Sequence, residues 1–152
     1  MTTSETVADV ALLDTNILVY AADELSVLPV PSKQIRDHGM QGDIAVAVSP
    51  QLLFEFFAVI TNPRRVTQPR SPQEAREEME KYFRAATIRK IYPGNDLVER
   101  MLTLLQQHPQ ITQQDIFDCT LVATMQTNGV RRIYTYNRQH FTPFPDIEVL
   151  TP

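Results

Sequence analysis

The sequence predicts a Rossmann-like α/β fold in three layers, with a mainly parallel sheet of about four to five strands between two layers of helices. Short apolar runs, several of them rich in β-branched residues, alternate along the chain with longer segments of helical periodicity. The runs are followed by Asp, Asn, Ser or Pro, as is typical of short buried strands in parallel sheets. This alternation favours a parallel sheet with helices on both faces.

The first half of the chain predicts two strands and three helices. Pro50 suits the first turn of a helix, and Glu55 is the one charge in the strongly apolar segment that follows it. The predicted elements are a strand at 10–14, a helix from Thr15 or Asn16 to Ala22, a helix at 29–42 that ends at Gly39 or Gly42, a strand at 44–49 and a helix at 50–61.

The second half predicts three helices and three strands. Ser71 has the position of an N-cap, with Pro72 at the first helical position and Glu74 completing a capping box. Thr112 is the predicted N-cap of the last helix, which Gly129 closes. The predicted elements are helices at 71–86, 95–108 and 112–129, and strands at 87–93, 131–137 and 147–151.

A chain of 152 residues is long enough for one domain with a substantial buried core. We interpret residues 9–152 as that domain and the polar residues 1–8 as a frayed N-terminus. Hydrophobic residues make up 43% and charged residues 21% of the chain, which is the balance of a globular protein rather than a disordered one.

Composition also limits the cellular compartments and the binding partners that we expect. Asp9, Asp14 and Asn16 interrupt the first apolar segment, which speaks against a membrane-spanning helix and against a secretory leader. The single cysteine, Cys119, has no partner for an internal disulfide, which favours the reducing cytoplasm. A net charge of −4 argues against broad nucleic-acid affinity and leaves a local basic patch possible.

Acidic side chains fall where a parallel sheet binds its ligands, outside the carboxyl ends of the strands. Asp14 ends the first strand, and Asp118 lies in the first two turns of the helix before the fourth strand. Asp115 shares a helix face with Asp118, and Glu55 stands in the most apolar helix. Carboxylates gathered at one edge repel each other unless a cation neutralises them, and hard oxygen ligands suit Mg²⁺ or Mn²⁺.

Each of these positions also has an ordinary structural explanation. Asp14 can cap the helix that follows it, and Glu55 can pair with an arginine at a helix end. Asp115 has the spacing of a common helix-start carboxylate, and Asn137 can be a turn residue. Asp118 lies deeper in its helix, where a cap does not explain it. The histidines at 38, 108 and 140 show no metal-ligand spacing and fall in predicted surface stretches.

The residues that carry this pattern resemble the PIN-domain family, in particular the VapC-type toxin ribonucleases of bacterial toxin–antitoxin pairs. The resemblance covers nearly the whole chain and lies in the stretches "LLDTNILVY", "SPQLLFEFFAVIT" and "FDCTLVATMQTNGVRRIYTYNRQHF". Asp14, Glu55 and Asp118 match the first three acidic positions of the family. The fourth position is Asn137 here, which leaves one fewer negative charge, and Asp115 is the alternative source of that charge.

The resemblance implies Mg²⁺-dependent hydrolysis of RNA phosphodiesters, with Mn²⁺ able to substitute. In this interpretation Asp14 and Asp118 are direct metal ligands, and Glu55 and Asp115 orient water at the site. The supporting residues are Thr15, Asn16, Thr135 and Asn137. A homodimer and, for a true toxin, a small antitoxin protein are the implied partners. The alternative is a catalytically silent PIN-fold module that binds RNA or protein.

An acidic site must still attract a polyanion, and the sequence offers arginines for this. Arg64 and Arg65 follow the Glu55 helix, and Arg138 follows the fourth strand. We predict that these three neutralise RNA phosphates near the site, with Arg70, Arg131 and Arg132 as further candidates. A plain solvated surface is the alternative for any single one of them.

Overall fold

Five short strands and six α-helices make up the chain in a computed structural model that describes residues 9–23 and 29–152. In chain order they are β1 (Ala11–Leu13), α1 (Thr15–Ala22), α2 (Pro29–Gln41), β2 (Val46–Val48), α3 (Pro50–Ile60), α4 (Pro72–Arg84), β3 (Ile88–Lys90), α5 (Leu97–Gln107), α6 (Asp115–Thr127), β4 (Arg132–Tyr134), a 3-10 turn (Arg138–His140) and β5 (Glu148–Leu150). All elements that the sequence predicts are present, and the strands are shorter than predicted.

The strands form one sheet in the order β3-β2-β1-β4-β5, and every neighbouring pair is parallel. The predicted three-layer α/β architecture is therefore confirmed. The interpretation of residues 1–8 as a frayed N-terminus lies outside the described residues, and the treatment of residues 9–152 as one domain stays a prediction. No helix within the described ranges is long and apolar enough to cross a membrane.

The two faces of the sheet carry separate hydrophobic clusters, because successive strand residues point to opposite faces. Leu13 packs with apolar side chains of α1, α3 and α4, among them Phe56 and Tyr82. Its neighbour Leu12 packs on the other face with α5 and α6, which contribute Leu104 and Val122. Helices α1 to α4 thus cover one face, and α5 and α6 cover the other.

The register of β1 decides what lies at the carboxyl edge of the sheet. Leu13 pairs with Tyr134 of β4, so the residues that follow them, Asp14 and Thr135, are brought side by side. The helix that follows β2 begins at the same edge, with Ser49 as its N-cap and Pro50 at its first position. The central strand β1 is therefore followed by the Asp14 carboxylate at the edge where β2 and β4 also end.

Helix ends follow the predicted signals with one exception. Ser71 and Glu74 form the predicted capping box of α4, and Gly42 and Gly129 take the left-handed conformations (φ 81° and 68°) that end α2 and α6. The predicted N-cap at Thr112 is wrong.

Helix α6 begins three residues beyond the predicted cap, at Asp115, and its N-cap Gln114 makes no side-chain capping bond. Gln113 has a φ of 52°, which breaks the helical path from Thr112, whose carbonyl accepts a bond from the Asp115 N–H (3.1 Å) in a turn. The physical reason for the error is thus a backbone conformation that the residue types alone did not indicate.

Close packing of α2 against β2 yields a stability prediction. A Cβ atom at Gly39 would lie 2.6 Å from Cγ2 of the buried Val46. Alanine favours a helix by about 1 kcal/mol over glycine, but overpacking a core costs about 1–3 kcal/mol. We expect Gly39→Ala to lower the free energy of unfolding by up to about 2 kcal/mol in urea denaturation. The loss should shrink in a Val46→Ala background; an undiminished loss would contradict this account.

Candidate active site at the carboxyl edge of the sheet

Asp14 is a buried carboxylate, with 6% of its surface exposed, at the end of the central strand. It is the N-cap of α1, and its Oδ1 accepts a hydrogen bond from the Thr15 backbone N–H (2.8 Å). Its Oδ2 accepts a second bond from the Thr135 hydroxyl (2.7 Å). The capping explanation for Asp14 is therefore correct, but it accounts for one oxygen only. Burial raises the pKa of Asp14, the two hydrogen bonds oppose that rise, and the charge of Glu55 adds to it.

Thr135 connects the ends of β1 and β4. Its buried hydroxyl donates to Asp14 and accepts hydrogen bonds from the Asn16 side-chain amide (3.2 Å) and the Asn137 backbone N–H (2.9 Å). Asn16 in turn accepts a bond from the Tyr136 backbone N–H (3.3 Å). The supporting residues predicted from the sequence thus form one network around Asp14, in which Asn137 takes part through its backbone while its side chain is exposed.

Glu55 projects from α3 and is held by neutral donors. The Thr15 hydroxyl donates to Oε2 (3.0 Å), and the Gln51 side-chain amide donates to Oε1 (2.9 Å). The same Gln51 nitrogen also donates to the carbonyl oxygen of Phe117 (2.9 Å), the residue before Asp118. The alternative of an arginine partner for Glu55 does not match these contacts.

Asp118 lies in the first turn of α6 with 25% of its side chain exposed, and its Oδ2 contacts Nδ1 of His140 (3.1 Å). Burial raises the pKa of Asp118 to about 6, against the opposing effect of His140. The negative charges of Asp14, Glu55 and Asp115 raise it further. Three of the four predicted acidic residues therefore act electrostatically on the carboxyl group of the fourth, Asp118.

Sequence reasoning missed two side chains at this edge. His140 falls in a predicted surface stretch, yet its 40% exposed side chain contacts Asp118. Gln51 stands in an apolar helix, where nothing in the residue type marks it. His140 follows Asn137 by three residues at the carboxyl edge, and Gln51 precedes Glu55 by one helical turn, so their positions relative to the predicted acids were the available signals.

The donor set suits a hard divalent cation. All four acidic side chains carry carboxylate oxygens, which are the ligands that Mg²⁺ prefers, and burial together with the negative charge of the neighbouring acids raises the pKa of Asp118. Among the described residues, no three acidic, histidine or cysteine side chains are arranged to enclose a metal ion. Mg²⁺ is commonly held by one or two carboxylates together with water and substrate phosphate, which is a smaller requirement than a cluster of three protein ligands.

The predicted arginines occupy different positions relative to the acids. Arg138 is exposed in the 3-10 turn that also carries His140. Arg64 and Arg65 are exposed beyond the end of α3, whose 11 residues lead about 16 Å away from the carboxyl edge. Arg70 donates to the carbonyl of Ala22 (2.7 Å), an internal contact between the segment after α3 and the end of α1.

Arg132 lies at the opposite end of its strand from the acids. It is the first residue of β4 and pairs with Glu148 (Nε to Oε2, 3.4 Å) at the start of β5. Arg131 precedes it and is exposed. Both arginines lie at the start of β4, and the other end of β4 reaches the acidic cluster, so they do not face that cluster.

Comparisons with known proteins agree with the sequence motifs. The sequence model of the PIN domain family matches residues 11–145. A ribonuclease named VapC24 from Mycobacterium tuberculosis is 28% identical over 148 residues, which cover 92% of this chain and 94% of that protein.

Two solved structures share the fold. VapC20 of Mycobacterium tuberculosis, described as a toxin that cleaves the sarcin-ricin loop, has a TM-score of 0.63 at 16% identity and covers 86% of this chain and 92% of its own. A toxin–antitoxin complex from Klebsiella pneumoniae has a TM-score of 0.57 at 22% identity, with 93% and 97% covered.

The raised pKa of Asp118 yields a pH prediction for the metal-free protein. A carboxyl group with a higher pKa in the folded than in the unfolded state stabilises the fold below its unfolded pKa, and that contribution is lost as pH rises through the folded pKa. With a folded pKa of about 6, the loss falls between about pH 4 and pH 6. We expect the stability of Asp118→Asn relative to wild type to improve by about 1–3 kcal/mol over that range.

Urea denaturation in chelator at pH 4, 5, 6 and 7 measures this difference. Asp146→Asn is the control, because Asp146 is an exposed aspartate outside the cluster. A pH profile of Asp118→Asn parallel to that of wild type would contradict the prediction.

Proposed function

This chain belongs to the PIN-domain family, and from that premise we propose that it is an endoribonuclease that hydrolyses RNA phosphodiesters as the toxin of a bacterial toxin–antitoxin pair. One observation carries the proposal. Asp14, Glu55 and Asp115, from a strand end and two helices, lie near enough to Asp118 to raise its pKa, at the edge where a parallel sheet binds its ligands. The relative named as a ribonuclease supports the same chemistry.

Asp14 and Asp118 are the residues that would hold Mg²⁺, for which Mn²⁺ can substitute. When bound, such an ion activates water for attack on phosphorus and neutralises charge on the phosphate. Without it, an RNA phosphate would approach an uncompensated group of carboxylates. The family resemblance and the oxygen-rich donor set both support this cofactor.

The remaining side chains orient the reacting groups. Glu55 and Asp115 accept hydrogen bonds from water and align it for attack on the scissile phosphate. Thr15 fixes Glu55, and Thr135 fixes Asp14 with the help of Asn16 and Asn137. These hydrogen bonds hold the carboxylates of Asp14 and Glu55 in defined orientations.

RNA binding needs positive charge outside the acidic cluster. Arg138 lies two residues before His140, which contacts Asp118. Arg138 would therefore bind the phosphates next to the cleaved bond. Arg64 and Arg65, which lie beyond the end of α3, would bind phosphates further along the RNA strand. This division keeps the centre of the site negative and its surroundings positive.

Two protein partners belong to the proposal, a second copy of the chain and a small antitoxin. One of the solved structures that share the fold is a toxin–antitoxin complex. The described surface also exposes large apolar side chains, including Phe54 at 64%, Phe83 and Tyr92, which line an apolar groove of about 410 Å³. We expect the protein to act in the cytoplasm, where RNA is present and Cys119 stays reduced.

Metal dependence is the first test of this function. We expect purified, antitoxin-free protein to cleave single-stranded RNA with Mg²⁺ or Mn²⁺, to stop in chelator and to recover when metal is restored. Mg²⁺ should also raise the melting temperature of wild type, because a ligand that binds only the folded state stabilises it. That rise should shrink in Asp14→Asn and Asp118→Asn, measured by thermal melts with chelator and with Mg²⁺.

The outcomes separate the alternatives. Cleavage that persists in excess chelator would overturn the metal mechanism. RNA binding without cleavage in any metal would favour the catalytically silent module. If both Asn variants melt clearly lower in chelator and gain as much from Mg²⁺ as wild type does, the shared metal site is wrong.

Arginine replacement tests the binding surface. We expect the triple change Arg64→Gln, Arg65→Gln and Arg138→Gln to weaken RNA binding similarly across sequences. It should also flatten the dependence of binding on salt, by about one unit of slope for each phosphate that the variant no longer neutralises. Fluorescence anisotropy over a salt series, in the catalytically impaired Asp118→Asn background, measures both effects.

Arg131→Gln is the control for the triple variant, because Arg131 lies just before β4, at the end of the strand away from the acids. A triple variant that behaves like this control would make the three arginines plain surface residues.

A further inference from the structure

Helices α3 and α6 lie on opposite faces of the sheet, yet each carries part of the acidic cluster. Most buried side chains of α3, such as Leu53 and Phe56, pack into the cluster on one face of the sheet, and α6 packs into the cluster on the other face, which Leu52 of α3 also joins. Direct helix packing joins α3 to α1 and α4, and α6 to α5. Contact between α3 and α6 is therefore less extensive than the packing of either helix on its main neighbours, and it includes Leu52 of α3 in the cluster that α6 joins.

Gln51 adds a direct polar connection between α3 and the first turn of α6. Its amide nitrogen has two N–H donors, and one carboxylate oxygen of Glu55 and the carbonyl oxygen of Phe117 each lie 2.9 Å from it. The Phe117 carbonyl is in the first turn of α6, immediately before Asp118. A carbonyl has two lone pairs, so this bond is compatible with the helical bond of the same oxygen. One side chain thus joins both helices around the end of the sheet.

Gln73 is a useful comparison, because it bonds to a glutamate of its own helix in the same way as Gln51 bonds to Glu55. Gln73 donates to Glu77 (3.3 Å) at the same four-residue spacing on the exposed side of α4. That pair is a local contact within one helix. Gln51 differs from it in reaching a second element, 66 residues further along the chain.

The Gln51 bridge joins two helices that carry like charges. Glu55 and Asp118 repel each other, and repulsion favours the separation of α3 from the start of α6. We propose that Gln51 is a positioning residue that fixes the distance between Glu55 and Asp118 by tying α3 to the first turn of α6. The proposal deepens the ribonuclease function and rests on it for its catalytic consequence, while the tie itself can be tested without RNA.

Gln51→Met tests the proposal, because methionine is similar in length and has no N–H donor. We expect kcat for RNA cleavage to fall by about 10- to 100-fold, as a small misplacement of a reacting group does, with KM unchanged. The affinity for Mn²⁺, measured by electron paramagnetic resonance, should fall over a similar range of about 10- to 100-fold. Gln73→Met is the matched control and should match wild type in both measurements.

A double variant distinguishes positioning from general damage to the fold. If Gln51 acts through Glu55, adding Gln51→Met to Glu55→Gln should weaken Mn²⁺ binding no further than Glu55→Gln alone. A simple structural role would instead give two losses that add. Equal kcat and Mn²⁺ affinity in wild type and Gln51→Met would overturn the proposal.

The bridge also has a readout that is independent of cleavage. In amide NMR spectra, Gln51→Met should shift the signals of residues 115–118 in α6, and Gln73→Met should leave them in place. Unmoved signals would overturn the tie. If wild type fails to cleave RNA while these signals move as expected, the proposed function fails and the positioning role of Gln51 does not.

Discussion

Repulsion between carboxylates at one edge of a parallel sheet is the constraint on which the rest of the site depends. This repulsion affects Asp118, because burial and three neighbouring acids raise the pKa of its carboxyl group to about 6. The buried oxygens of Asp14 and the two oxygens of Glu55 are satisfied by hydroxyl, amide and backbone donors. Neutral donors remove the cost of unpaired buried acceptors and leave the negative charge in place. Arginines in their positions would have cancelled the charge that a divalent cation needs.

The fold creates this edge through its short strands and its parallel order. Each strand has three residues, and in the neighbouring strands β2, β1 and β4 the residue that follows the strand is polar: Ser49, Asp14 and Thr135. The register between β1 and β4 places Asp14 beside Thr135, and the start of α3 brings Glu55 within reach of Thr15. Two separate hydrophobic clusters hold the bodies of the helices. Polar side chains connect their ends, in addition to the apolar contact of Leu52 with the cluster that α6 joins.

Charge is distributed unevenly over the surface, and this bears on how a polyanion would approach. His140, the basic group in contact with Asp118, is on the same short turn as the exposed Arg138. Arg64 and Arg65 lie beyond the far end of α3, and Arg132 is paired with Glu148 at the start of its strand. A net charge of −4 then coexists with local positive positions around a negative centre. Association with RNA would accordingly depend on salt, because it relies on few, exposed cations.

The sequence by itself determined the layers of the fold and the acids at its edge. Apolar runs, helical periodicity and end signals are local properties, and an aspartate after a buried strand or a glutamate in an apolar helix is conspicuous without coordinates. Only the tertiary structure decided which groups meet those acids. The Gln51 contact spans 66 residues and the Thr135 contact with Asp14 spans 121, and neither residue type is unusual where it stands. The contact of His140 with Asp118 was not predicted for the same reason. The predicted N-cap at Thr112 was wrong because the backbone turns at Gln113. Hydrogen bonds between distant segments depend on register and helix placement, which arise when the whole core packs and leave no local pattern in the chain.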